Sequence, residues 1–181
     1  SLRIREAGHP VPDRNSFDAT DEAIRLVEPL GENDLVLLLI SGGGSALFEK
    51  PLCGPEALAD LTGQLLRCGA DIVEMNTLRK RVSAVKGGRF AQLCAPARVF
   101  AIVLSDIVGD PLDMIASGPA YPDASTCEDA GKIAKKYKLR LSAAAEKCLA
   151  DETPKELHNV HTQIIGSVRQ LCKAAYKACK E

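Results

Sequence analysis

The chain predicts an α/β fold, doubly wound and Rossmann-like, with a mostly parallel sheet flanked by helices. Residues 34–40 (Asp-Leu-Val-Leu-Leu-Leu-Ile) and 97–104 (Ala-Arg-Val-Phe-Ala-Ile-Val-Leu) are near-continuous apolar runs, the pattern of strands buried on both faces of a parallel sheet. Segments of helical spacing lie between and after them, so strands and helices alternate. The first run passes directly into Ser41-Gly42-Gly43-Gly44-Ser45, a glycine loop at the carboxyl end of a strand, where open α/β sheets hold their ligands.

Each element follows from local signals. Leu2-Arg-Ile-Arg5 reads as a strand. A helix capped by Ser16 or Asp18 carries Ala19, Ala23, Ile24, Val27 and Leu30 at helical spacing and stops at Gly31. Pro55, at a first-turn position, opens a helix over 56–68 with Leu58, Leu61, Leu65 and Leu66 on one face and Gly69 past its end. A helix over 72–81 carries Glu74, Asn76, Arg79 and Lys80, with Lys80 and Arg81 expected on a solvated face. Lys86-Gly87-Gly88 leads to a short helix over 89–94 and then to the second strand, whose carboxyl end delivers Ser105-Asp-Ile-Val-Gly-Asp110 to the edge that carries the glycine loop. The Pro- and Gly-rich stretch 114–123 reads as an ordered loop. Capped helices over 126–137 and 142–150, a strand over 160–165 and a helix over 167–180 complete the chain, without internal repeats.

With 181 residues, 46% hydrophobic and 26% charged, the sequence is that of one folded domain or one lobe of a larger enzyme. A net charge of -1 supplies no broad electrostatic footprint, which argues against nucleic acid and anionic membranes as partners. Seven cysteines, odd in number and without C-x-x-C spacing, read as reduced thiols of an intracellular protein. The first residues form no secretory n-region followed by an h-region, and no apolar run nears bilayer length, so the expected location is cytoplasmic, with a mitochondrial form and a targeting segment upstream of Ser1 left open. A start at Ser1 and an end within a helical pattern suggest a piece of a longer protein.

The candidate chemistry gathers at the strand ends. Backbone N–H groups of the glycine loop can approach a phosphate or carboxylate without side-chain interference, although a tight turn needing positive φ would use the same glycines. Asp106 and Asp110 follow a buried strand, where carboxylates hold Mg²⁺ or orient a hydroxyl; either could instead cap a loop. Asn76, Arg79 and Lys86 offer donors for anionic oxygens, Arg79 with a planar fork. Ser117-Gly118-Pro119 reads as a rigid turn presenting a hydroxyl or as a loop corner. His9, between glycine and closely spaced prolines, is a loop hydrogen-bonder or a site residue. His158 and His161 read as structural. Ser83-Ala-Val-Lys86 matches S-x-x-K, but the partner motifs of that acyl-transfer family are missing. The glycine loop also fails the dinucleotide fingerprint, Leu47 standing where the third glycine belongs, and no Walker Gly-Lys-Ser/Thr follows.

Six ordered blocks carry a family resemblance: Gly8-His-Pro-Val-Pro-Asp13, Leu39-Ile-Ser-Gly-Gly-Gly-Ser-Ala-Leu47, Glu74-Met-Asn-Thr-Leu-Arg-Lys80, Ser83-Ala-Val-Lys-Gly-Gly88, Leu104-Ser-Asp-Ile-Val-Gly-Asp110 and Ile115-Ala-Ser-Gly-Pro119. Together, over residues 8–166, they resemble the class II glycerate 2-kinases, once labelled hydroxypyruvate reductases. The resemblance implies transfer of phosphate from ATP to D-glycerate, giving 2-phosphoglycerate, with Mg²⁺ and in the cleft of a two-domain enzyme. It assigns Ser41, Gly42, Gly43, Gly44, Ser45, Asn76, Lys86 and Ser117 to substrate or phosphate, Asp106 and Arg79 to catalysis, and Asp106 and Asp110 to the metal. Residues 1–181 would then be a partial N-terminal domain, without the family's extreme N-terminal Gly-Lys-Ala block and its C-terminal domain, and inactive alone; a homodimer stays open. The alternatives are a non-catalytic fragment, a phosphate- or carboxylate-binding module, and an NAD(P)-dependent hydroxypyruvate reductase.

Overall fold

Three parallel strands organise the chain in the computed structural model, which describes residues 3–180. β1 (Leu35–Ile40), β2 (Arg98–Leu104) and β3 (Val160–Gly166) lie in the order β1-β2-β3, with Leu37 opposite Phe100 and Phe100 opposite His161. Between β1 and β2 the chain forms α2 (Gly44–Leu47), α3 (Pro55–Cys68), α4 (Ile72–Arg81) and α5 (Arg89–Leu93). Between β2 and β3 it forms a 3₁₀ turn (Ile115–Ser117), α6 (Cys127–Lys136) and α7 (Ala143–Leu149). Helix α1 (Arg14–Val27) precedes the sheet and α8 (Val168–Ala178) follows it. The architecture is the expected α/β one, a parallel sheet flanked by helices.

One expectation about the sheet is corrected. A strand order without reversal, joined by right-handed crossovers, directs both crossovers to one face. On that face Val36, Leu38, Val99 and Ala101 pack with Val27 of α1 and with Phe90 and Ala91 of α5. The alternate residues of β1 point the other way, and Leu35, Leu37 and Leu39 are 62%, 58% and 68% exposed. Thus β1 is buried on one face only, and its apolar run does not report two covered sides.

A second core joins the crossover helices to one another. Leu58, Leu61 and Leu65 of α3 meet Leu78 of α4 and Val82 just past its end, Ala130 of α6 and Leu149 of α7. Pro55 stands at the first turn of α3, and Gly69 ends it in the left-handed region at φ 71°, a conformation costly for a residue with a Cβ. Leu66, grouped with the core face by its spacing, turns outward instead.

Three further readings change. Helix α1 begins earlier than Ser16 or Asp18: Asp13 is its N-cap, accepting from the Ser16 amide at 2.9 Å, while Ser16 accepts from the Asp13 amide at 3.2 Å. Residues 3–5 form no strand; Arg3 and Arg5 instead each pair with Glu22 of α1 at 2.8 Å, and Leu2 lies outside the described residues. Lys80 and Arg81 are not solvated. Lys80 reaches Asp113 at 3.1 Å and the buried Asp123 at 3.3 Å, and Arg81 reaches Asp123 at 3.5 Å and donates to the Ser125 carbonyl at 2.9 Å. Buried cations persist only when paired in this way. Burial raises the Asp123 carboxyl, but the Lys80 charge and donors from Thr153 and Ser125 outweigh it, leaving the group below the ordinary aspartate range.

Candidate functional site

β1 and β2 end side by side, Ile40 opposite Val103, so the glycine loop and the 105–110 loop emerge together. Their contact is intimate at Gly42, where an added Cβ would stand 2.0 Å from Oδ2 of Asp106. Glycine is required there because the carboxylate occupies the space a side chain would take. Gly43 adopts φ 80°, and its Cβ position is 3.4 Å from Nε2 of His9, which brings the strap His9–Pro12 against the loop. Among the described residues the N–H groups of Gly42 and Gly43 donate to no acceptor. Ser41 and Asp106 are exposed, while Asp110 is half-buried, in the left-handed region at φ 54°, with its amide donating to the Ile107 carbonyl at 3.2 Å.

Beyond the glycines a hydrogen-bonded chain ties three segments together. Ser45 Oγ and Ser117 Oγ are 2.8 Å apart, Ser117 donates to Asn76 Oδ1 at 3.1 Å, and Asn76 Nδ2 faces Met114 Sδ at 3.1 Å. Ser117 holds φ 60° and Ala116 φ 50°, uncommon for residues with a Cβ. Amides of Gly87 and Gly88 donate to the carbonyls of Ser117 at 3.0 Å and Gly118 at 2.7 Å, which fixes that turn over the segment following Lys86.

Lys86 supports the loop from beneath. Its side chain is completely buried, and its ammonium donates to the carbonyls of Ser45 and Phe48, each at 2.8 Å. Glu49, equally buried, forms an ion pair with Nζ at 3.2 Å, and neither of its carboxylate oxygens has a hydrogen-bond donor. Burial pulls the Lys86 pKa down to about 8, against the opposing pull of Glu49. Ser83 is also fully buried, which closes the S-x-x-K pair to any acyl substrate.

Arg79 lies apart from this cluster. It lines a groove of about 410 Å³ bounded by the strap at Pro10–Pro12, by Phe17 of α1, by α3 and by Met75 of α4. Its guanidinium makes no hydrogen bond or ion pair among the described residues, and its Nε is buried without an acceptor. Burial lowers its pKa, and the charge of Glu49 opposes that shift.

The structure therefore brings Ser41, Gly42, Gly43, Gly44, Ser45, Asn76, Ser117 and Asp106 into one neighbourhood, sets Lys86 below it and Arg79 in the adjoining groove. Among the described residues no group of three or more His, Cys, Asp or Glu is arranged to hold a metal ion by itself. Glu49 was not expected: it falls between Phe48 and Lys50 with no periodicity or motif to single it out.

Known proteins are similar to this chain in sequence and fold. The family described as Domain of unknown function (DUF4147) matches residues 1–150. The D-glycerate 2-kinase of Thermotoga maritima is 53% identical over 182 residues, covering 99% of this chain and 44% of that protein. A protein of Agrobacterium vitis bearing a hydroxypyruvate reductase name is 48% identical, over 83% of this chain and 40% of its own length. The crystal structure of the Thermotoga maritima glycerate kinase superposes with a TM-score of 0.91 at 52% identity, over 97% of this chain and 43% of that one. The chain thus spans under half the length of these relatives.

Proposed function

The chain belongs to the DUF4147 family, and from that premise we propose that it forms the glycine-loop lobe of a glycerate kinase. The reaction proposed is ATP-dependent phosphorylation of D-glycerate on its 2-hydroxyl, giving 2-phosphoglycerate and ADP. The observation that carries the reading is the Asp106 carboxylate seated against Gly42 at the paired ends of β1 and β2. A carboxylate leaning on a loop with free N–H donors is poorly suited to a bare anion but suited to a hydroxyl beside one.

Phosphoryl transfer depends mainly on positioning and neutralisation of charge. In this reading the Gly42 and Gly43 amides bind anionic oxygens, and Asp106 accepts the hydroxyl proton as that oxygen bonds to phosphorus and the bond to the departing ADP breaks. Ser41, Gly44, Ser45, Asn76 and Ser117 shape the substrate side, Lys86 fixes the loop from below, and Arg79 supplies a cation free to meet an anionic oxygen. Mg²⁺ is usually bound by one or two carboxylates plus substrate phosphates, so Asp106, with Asp110, fits as its protein share despite the lack of a three-ligand cluster. When bound, it would neutralise phosphate charge.

Relatives more than twice as long support a further lobe across the cleft, making residues 1–181 a partial domain that is inactive alone. Seven free thiols support a reducing compartment, cytoplasmic or mitochondrial. No described helix is long and apolar enough to cross a membrane. A reductase reading gains little from the loop, because Leu47 stands where a dinucleotide fingerprint needs glycine.

The test is transfer of the γ-phosphate of ATP to D-glycerate, followed by phosphorus NMR, in this chain and in a form extended at both ends to the length of its relatives. Activity is expected in the extended form and to fall about 10²-fold or more in its Asp106→Asn variant. Turnover within about threefold of wild type in that variant would remove Asp106 from the role of base, and inactivity of both forms would remove the kinase.

A further inference from the structure

The groove beside the strap combines two properties that call for each other. Its walls are apolar: Pro10 and Pro12 of the strap, Phe17 of α1, Leu58 and Leu66 of α3, and Met75 of α4. Arg79 is its single charged group. A guanidinium normally spends its five donors on carboxylates or carbonyls, yet this one meets no acceptor among the described residues, while neighbouring Lys80 pairs with Asp113 and Asp123, and Arg81, though its Nε is also without an acceptor, pairs through its terminal nitrogens with Asp123, Thr153 and Glu152. Leaving a half-buried cation unpaired in an apolar cleft is costly unless a ligand supplies the anion.

The volume suits a small molecule. About 410 Å³ lies within the 300–1,000 Å³ typical of ligand pockets, whose usual composition is apolar walls with few polar groups. Leu66 lies on the rim, 65% exposed, an apolar side chain that a bound body would cover.

We propose that this groove binds a small organic monoanion, a carboxylate on an apolar body, with the carboxylate on Arg79 and the body between the strap and α3. Glycerate does not fit that description, since both carbons beyond its carboxylate carry hydroxyls and leave nothing for the apolar walls. The proposal adds an apolar-bodied ligand class to the anion-binding role given to Arg79 above, and it stands on binding alone, so failure of the kinase assay would leave it intact. Because the strap also carries His9 to Gly43, an occupant of the groove would brace one wall of the glycine loop.

The experiment is calorimetric titration of the intact protein with 4-phenylbutyrate and with its neutral amide, 4-phenylbutyramide. The acid is expected to bind at least tenfold more tightly than the amide. Arg79→Gln should erase that preference, and Ala59→Leu, an exposed α3 position on the groove wall, should weaken both ligands while preserving the circular dichroism of the wild type. Equal binding of acid and amide, retention of the preference in Arg79→Gln, or no binding of the acid at millimolar concentration would each overturn the proposal.

Discussion

Replacing Lys86 by Met should unfasten the glycine loop from its support. The ammonium makes two hydrogen bonds of 2.8 Å to carbonyls and pairs with a carboxylate that has no other counter-charge in contact. Hydrogen bonds from a charged donor are each worth about 1.5–3 kcal/mol, and removing one partner of a buried pair costs about 3–5 kcal/mol because the other charge stays behind. The expected loss is therefore about 4 kcal/mol, a large share of the roughly 5–15 kcal/mol that holds a domain folded. Urea unfolding followed by far-ultraviolet circular dichroism reads it, the chain having no Trp to report by fluorescence. Glu49→Gln in the Lys86→Met background should restore part of the loss, since much of it is the abandoned carboxylate. Titration adds a signature: with Lys86 near 8 when folded and near its ordinary value when unfolded, the unfolded chain holds more protons between those values. Wild-type stability should accordingly rise with pH from about 8 towards 10.5 relative to Lys86→Met. A loss below about 1 kcal/mol, or no recovery with Glu49→Gln, would refute this account of the loop.

Other perturbations follow from the same contacts. Gly42→Ala should displace the Asp106 carboxylate and cut glycerate phosphorylation in the extended form at least about tenfold, with stability within about 0.5 kcal/mol of wild type, checked by turnover and thermal unfolding together. Asp123→Ala should destabilise by about 3–5 kcal/mol, because Lys80 and Arg81 would remain buried without it, as denaturant midpoints will show. Because the folded Asp123 carboxyl lies below its unfolded value, its contribution is present above about pH 3.9 and lost as pH falls through the folded value; acid titration against Asp123→Asn should isolate that loss.

What could be read from the sequence was whatever depends on neighbours along the chain. Pro55 and Gly69 bracket α3 because their backbone preferences act locally, and the apolar runs became β1 and β2 because continuous branched and aliphatic residues favour strands. The unreadable parts depend on distant partners. Whether Leu37 and Leu39 are covered is decided by the direction of the crossovers, not by the run itself. Lys80 and Arg81 look solvated until Asp123, more than 40 positions away in sequence, is folded against them. Asp13 escaped as a cap because its reciprocal partner at the third helical position is Ser16, where Glu or Gln is the usual signal. At the site, the glycine loop and Asp106 could be picked out by position at strand ends, whereas Glu49 could not.

The bridge from Ser45 to Ser117 and Asn76 also has a polarity. A hydroxyl owns one proton, and Ser117 gives its proton to Asn76 Oδ1, so the 2.8 Å contact with Ser45 requires that Ser45 be the donor. The Ser45 hydroxyl therefore turns only lone pairs towards the cleft. It can receive a proton from an alcohol or face a cation, but it has none left to offer an anionic oxygen. Around this loop, attraction for negative charge must come from the backbone amides, and the serine side chain instead favours the part of a ligand that arrives carrying hydrogen.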